Sequence, residues 1–181
     1  NFEAIPEICT VLLKRGLSVK WYILGYGDRE TQIREAIQAV HMEDFVVLLG
    51  KKENPYPYMR MCDIYVQPSV YEGKCVAVRE AQLLGKPVII TDFFTAHSQL
   101  RDGIDGMIAP LDFYGFTDAL AALIQDNGKQ EALKAACRST DFTLQKEAEK
   151  ILKFAEGRES YAEDQRHRAD LQRRKISRAV R

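Results

Sequence analysis

Pro68-Ser69-Val70-Tyr71-Glu72-Gly73-Lys74-Cys75-Val76-Ala77-Val78-Arg79-Glu80-Ala81 reads as a strand-to-helix turn with a carboxylate on either side of it. The run Asp63-Ile64-Tyr65-Val66-Gln67 ahead of it has the apolar content of a buried strand, and Ala77 to Leu84 behind it reads as a helix. The short loop between them puts backbone N–H groups off a helix start, where four amides lack an intrahelical partner and attract anions. Glu72 falls at the mouth of that turn. Glu80 lies about one helical turn deeper, roughly 6 Å along the axis at 1.5 Å per residue. A diphosphate over the helix start leaves a ribose diol near Glu80 and a sugar near Glu72, so the spacing suits a nucleoside-diphosphate sugar.

Working outward, strands and helices alternate almost to Asp126. A helix over 2–14 ends at Gly16, a good residue just past a helix. Ser18 to Leu24 reads as a strand running into Gly25-Tyr26-Gly27, with Asp28 as N-cap of a helix reaching about Val40. Phe45 to Leu49 is a near-continuous apolar strand, as a parallel sheet covered on both faces requires. Pro55-Tyr56-Pro57-Tyr58 starts a short helix, Pro87 to Thr91 is another strand, Gly103 to Pro110 a last one, and 113–125 an amphipathic helix. This alternation with short connections predicts an α/β fold, a Rossmann-like parallel sheet with helices on both faces. After Gly128 the strand signals stop. Helices are expected over 129–137 and 143–155, closing a domain of residues 1–156, with 157–181 a charged tail, helical or disordered.

The pattern from Pro68 to Thr91, ending in Gly85-Lys86-Pro87-Val88-Ile89-Ile90-Thr91, resembles the Glu-x7-Glu signature of glycosyltransferase family 4, the retaining sugar transferases with a GT-B fold. The resemblance runs over about residues 1–126. Ile23-Leu24-Gly25-Tyr26-Gly27 resembles the family's GxG turn, Gly50 to Tyr56 its next strand-to-loop crossing, and Gln99 to Pro110 its closing strand. It implies the C-terminal, donor-binding half of a two-halved enzyme. The acceptor domain, the strand preceding Asn1 and an upstream Arg/Lys pair near the diphosphate are expected in a missing N-terminal portion. Lys74-Cys75 stands where many relatives carry Phe and a small residue.

On that reading Glu72 is the catalytic carboxylate, holding sugar hydroxyls and shaping the charge around C1. The donor-binding set is Gly25, Gly27, Gly50, Lys51, Ser69, Gly73, Lys74, Cys75, Val76 and Glu80, in which Glu80 takes the ribose hydroxyls and the backbone of Gly73 to Val76 the diphosphate. Thr91 falls at the same strand-end edge, where open parallel sheets bind ligands. Several of these residues keep a structural alternative. Lys74 either adds positive charge or points to solvent, and Gly25 and Gly27 either admit phosphate or only permit a tight turn. Tyr56 and Tyr58 either stack on the base or pack their short helix, the second reading being favoured. His97 either faces the site, in a segment with Thr95 and Ser98, or is an ordinary hydrogen-bonded surface residue, the second reading being favoured.

Asp-x-Asp does not occur, and the four cysteines show no metal-ligand spacing. No metal and no cofactor are expected beyond the donor, a UDP-sugar by preference. The 26 basic and 26 acidic side chains cancel, which argues against nucleic acid as partner of the chain as a whole. The segment Arg166 to Arg181 carries seven basic residues against Asp170. It leaves open peripheral association of the full protein with a membrane. Scattered cysteines and the lack of a membrane-length apolar run place the expected location in the cytoplasm or at the inner face of a membrane. The expected function is hexose transfer to a polysaccharide, glycolipid or lipopolysaccharide acceptor. Its rivals are half of a nucleotide-sugar 2-epimerase and a non-catalytic nucleotide-sugar binding module.

Overall fold

Val88-Ile89-Ile90-Thr91 forms a strand (β4) buried at every residue, and its two faces organise the rest of the molecule. Side chains alternate across a strand. Ile89 therefore enters one core with Ile8, Leu12, Phe116, Leu120 and Leu123, while Val88 and Ile90 enter another with Met59, Val78, Ala81, Phe93 and Leu100. Truncating Ile89 or Ile90 to alanine should cost about 2–5 kcal/mol, the range for a large buried side chain that leaves a cavity.

The computed structural model describes residues 1–140. In chain order these give a 3-10 turn (Phe2–Ala4), α1 (Ile5–Lys14), β1 (Trp21–Leu24), α2 (Glu30–Ala39), β2 (Val46–Gly50), α3 (Tyr56–Met61) and β3 (Tyr65–Gln67). They continue with α4 (Val76–Leu83), β4, α5 (Ala96–Gln99), β5 (Met107–Ala109), α6 (Phe113–Gln125) and α7 (Asn127–Ser139). All strand pairs are parallel. The α/β class with helices on both faces of parallel strands is the one the alternating pattern predicts.

The ladder comes in two pieces: β1 pairs with β2, and β3-β4-β5 form a second sheet. One helix serves both. α1 sends Ile5 and Cys9 into a core with Ile23, Ile33, Ile37 and Val46, and sends Ile8 and Leu12 to the core under Ile89. Its apolar residues at helical spacing make this double duty possible.

The expected boundaries shift in places. Asp28 does not cap α2; Arg29 holds the N-cap position without a side-chain hydrogen bond. The capping that does occur is at Asp112 and Asp126, whose carboxylates accept from Gly115 N and Lys129 N. Of the expected strand Gly103 to Pro110 only 107–109 is extended, because 101–106 folds into a turn in which Asp105 accepts from Arg101 N at 2.7 Å and Nε at 2.7 Å. The short helix α5 has no counterpart in the sequence reading. The helix expected over 143–155 and the tail 157–181 lie outside the described residues.

Candidate active site

β3 ends at Gln67, and the chain crosses Pro68 to Gly73 before α4 starts at Val76. Glu72 sits on this crossing. Its Oε1 accepts from Ser69 Oγ at 2.8 Å and from Gln67 Nε2 at 3.1 Å. Both donors are buried, Gln67 at 7% and Ser69 at 5% exposure, so the carboxylate is held from the inside. Gln67 Nε2 also donates to Ser69 Oγ at 2.8 Å, and Tyr65 Oη donates to Gln67 Oε1 at 2.8 Å. Thr91, at the end of β4, donates its hydroxyl to the Ser69 carbonyl.

The backbone of the crossing is pinned from α5. Thr95 Oγ1 lies 2.7 Å from the carbonyls of Glu72 and Gly73, and Gln99 Nε2 donates to Gly73 O at 3.1 Å. Gln99 Oε1 accepts Cys75 N at 3.0 Å. One amide of the expected diphosphate cradle is thus already committed within the protein. The amides left for an anion are those of the first turn of α4, beginning at Val76, which no side chain caps. Val76 is 65% exposed, so this helix start faces solvent. Cys75 is its N-cap. Burial pushes the Cys75 thiol above its ordinary value, opposed by the N–H groups of Val78 and Ala77, with the nearby Glu72 carboxylate pushing it further up.

Glu80 lies on α4, and its Oε1 accepts the hydroxyl of Tyr56 at 3.0 Å. That contact raises the Tyr56 phenol above its usual range, the hydrogen bond acting first and the carboxylate charge second. Tyr56 opens α3, which follows β2, so it ties the exit of β2 to the helix after β3. The side chain is 47% exposed and reaches Glu80 instead of packing only its own short helix.

The glycines at the ends of β1 and β2 meet each other: Gly25 N donates to Gly50 O at 3.0 Å. Gly25 has φ +127° and Gly50 φ +69°, conformations that a side chain rarely allows, and both face open space. Gly27 has no such requirement; its carbonyl accepts Glu30 N at 3.1 Å. Lys51 Nζ lies 5.1 Å from the Tyr26 ring, a cation–π contact beside Gly25. Lys74 is exposed. His97, 61% exposed, pairs with Asp92 at 3.3 Å, as a surface histidine would. Among the described residues no group of three or more His, Cys, Asp or Glu side chains could hold a metal ion, and no helix is long and apolar enough to cross a membrane.

The expected residues thus fall into two clusters. Ser69, Glu72, Gly73, Cys75 and Val76 gather at the start of α4, with Glu80 on the helix behind; Gly25, Gly50 and Lys51 gather at the ends of β1 and β2. Tyr56, on the helix that follows β2, reaches Glu80 of the first cluster. A profile of the family described as glycosyl transferases group 1 matches residues 2–126, which includes every one of these residues. The chain belongs to that family.

Among group 1 relatives, the amylovoran biosynthesis glycosyltransferase AmsK of Erwinia amylovora is 33% identical over 134 residues, covering 70% of this chain and 32% of that protein. The N-acetylgalactosamine-N,N'-diacetylbacillosaminyl-diphospho-undecaprenol 4-alpha-N-acetylgalactosaminyltransferase of Campylobacter jejuni is 29% identical over 143 residues, covering 77% of this chain and 39% of that protein. The chain therefore spans well under half the length of either relative. Among solved structures, HepE from Anabaena, crystallised with UDP, superposes with a TM-score of 0.69 at 20% identity over 83% of this chain and 44% of that one. This likeness establishes a shared fold, that of the GT-B glycosyltransferases.

Four residues around this candidate site have contacts that the sequence did not assign: Gln67 and Gln99, Thr95, read only as part of a segment facing the site, and Tyr56 in its contact with Glu80. Tyr65, Gln67 and Ser69 recur at every second position into the signature loop, and that period places them on one face of an extended segment. Thr95 and Gln99 gave no such signal, because they reach the loop from 22–26 residues away.

Proposed function

We propose that this chain is the donor-binding half of a retaining hexosyltransferase of glycosyltransferase family 4, using a nucleoside-diphosphate sugar, UDP-linked by preference. The observation that carries this reading is the pair Glu72 and Glu80 on either side of the uncapped start of α4. In the proposed pose the diphosphate lies on the N–H groups of the first turn of α4, which supply fixed positive dipoles to the departing phosphate. The ribose diol reaches Glu80, where it competes with the Tyr56 hydroxyl. The sugar lies against Glu72, whose charge stabilises the oxocarbenium-like centre that develops at C1 as the nucleoside diphosphate leaves. The acceptor, a polysaccharide or lipid-linked sugar, attacks on the same face from the other half of the protein. Lys51 and Lys74 add positive potential, no divalent cation is required, and the enzyme works in the cytoplasm or at the inner face of a membrane.

Support for acceptor and donor comes from what relatives are named for: amylovoran biosynthesis, transfer onto a diphospho-undecaprenol carrier, and a UDP complex of HepE. The test is calorimetric titration of the chain with UDP, GDP and ADP and their sugars, in wild type and Glu80→Ala, with and without chelator. Saturable binding of one nucleotide, weakened by the substitution and indifferent to chelator, is the expected result. Binding that needs a divalent cation, or ignores Glu80, overturns this site. In the complete transferase, release of UDP with rearranged free sugar and no acceptor product would identify an epimerase instead.

A further inference from the structure

Glu72 is one end of a chain of hydrogen bonds that starts inside the protein. Tyr65 Oη donates to Gln67 Oε1, Gln67 Nε2 donates to both Ser69 Oγ and Glu72 Oε1, and Ser69 Oγ donates to the same Glu72 oxygen. Every link runs in one direction. An ionised carboxylate can only accept, so Glu72 takes the Gln67 amide nitrogen, and the Gln67 carbonyl oxygen is left facing the Tyr65 phenol, which donates to it. Burial raises the Tyr65 phenol far above its usual range, with the charges of neighbouring groups including Glu72 and Glu80 adding to the effect, so the phenol keeps the proton it donates. The backbone under the chain is tied to β4: Gln67 pairs in register with Ile90, and Thr91 donates to the Ser69 carbonyl.

We propose that Tyr65 and Gln67 are positioning residues for the sugar-facing carboxylate, Tyr65 anchoring the carbonyl end of the Gln67 amide and Gln67 setting the rotamer of Glu72. Neither need touch the donor. The inference rests on the reading of Glu72 as the sugar contact, and it adds the device that makes one Glu72 oxygen a fixed feature of the protein before any sugar arrives. Preorganisation of this kind removes the ordering cost of the carboxylate from the binding step.

The test compares each nucleotide with its sugar, since a group that acts only through Glu72 should leave nucleotide affinity alone. The probes are UDP against UDP-glucose, UDP-galactose and UDP-N-acetylglucosamine, and GDP against GDP-mannose, titrated calorimetrically into the chain. The gain in affinity from the preferred sugar is expected to vanish in Glu72→Gln. It is expected to fall about tenfold in Gln67→Leu and about threefold in Tyr65→Phe, with affinity for the bare nucleotide unchanged, as for loss of a buried hydrogen-bond partner.

Gln67→Glu supplies the readout that a merely structural role would not move. The introduced acid faces Glu72, and two carboxylates at that distance share a proton with one titration raised. Below that raised value the introduced acid is protonated and can donate to Glu72 as the amide did. The sugar gain is therefore expected to be lost at neutral pH and recovered on acidification to about pH 5. If Gln67→Leu does not fold, Tyr65→Phe, which removes one oxygen and keeps the ring, and Gln67→Glu carry the test. Loss of the sugar gain in Glu72→Gln with full retention in Tyr65→Phe and pH-independent behaviour of Gln67→Glu overturns the positioning role and leaves the site reading intact. A sugar gain that survives Glu72→Gln, or is absent from the wild type, overturns the site reading and this inference with it.

Discussion

The surroundings of Glu72 and Glu80 differ more than their eight-residue separation suggests. Glu72 is anchored by side chains that are themselves buried, Gln67 and Ser69, and its loop is held by Thr95 and Gln99 from another helix. Glu80 is met by one half-exposed tyrosine. A buried amide that loses its partner cannot turn to water, so the arrangement around Glu72 has few alternatives. The Tyr56 hydroxyl can exchange Glu80 for solvent at little cost. The lesson is that one carboxylate is built into its position and the other keeps a partner that it can exchange.

The sharpest way to break this contrast is at the carboxylates. In the complete transferase, Glu72→Gln should lower kcat by about a hundredfold or more with a smaller change in nucleotide affinity, the size seen when a preorganised charge-stabilising group is lost. Steady-state kinetics with nucleotide competition measure both. Glu80→Ala should instead weaken nucleotide binding by about tenfold, the loss of a charge-assisted contact, and should abolish the preference for ribose over 2′-deoxyribose nucleotides. Equal effects of the two substitutions on kcat would erase the distinction between the two acids.

The anchoring can also be tested without ligand. Gln99→Leu leaves Cys75 N without its acceptor and removes one of the two donors to Gly73 O, and should cost about 1–3 kcal/mol, read as a lowered denaturant midpoint. Tyr56→Phe, by contrast, should leave that midpoint within about 0.5 kcal/mol of wild type, as for an exposed contact.

The smallest effect is spectroscopic. A neutral phenol donating to a carboxylate resists ionisation, so Tyr56 should titrate above the ordinary tyrosine value of 10.0, and Glu80→Ala should bring it back down. Tyr65, raised chiefly by burial, should barely respond to the same substitution. The sign follows from which form the fold favours: both phenols prefer to stay neutral, so their contributions are complete below the unfolded value and fade as pH rises through the folded one. Difference absorbance of phenolate across alkaline pH, in wild type and Glu80→Ala, resolves the two.

Much of the fold could be read along the chain. The apolar runs of β2 and β4, the turn glycines and the helical spacing of α1 and α6 each carry a local signature, because strand and helix periodicity follow from backbone geometry. The same holds for the pair Glu72 and Glu80, whose placement about a strand-to-helix turn is a matter of spacing. Asp28 misled because a good capping residue is a preference of one position, and the chain closed its helix start one residue later without it. The turn at 101–106 misled because Asp105 draws the backbone of Arg101 onto its buried carboxylate, a contact that hydropathy does not register.

Local order along the chain set the strands, the helices and the two acids at the start of α4, since each depends on neighbours within a few residues. Folding in three dimensions chose the partners of those acids: Tyr56 for Glu80, and an inward chain of donors for Glu72. It also assigned Thr95 and Gln99 to the signature loop and left β1-β2 and β3-β4-β5 as separate ladders joined through α1. Hydrogen-bond partners of a polar side chain are fixed by which elements meet at its tip, and that meeting is made by the packing of apolar faces far from it in sequence.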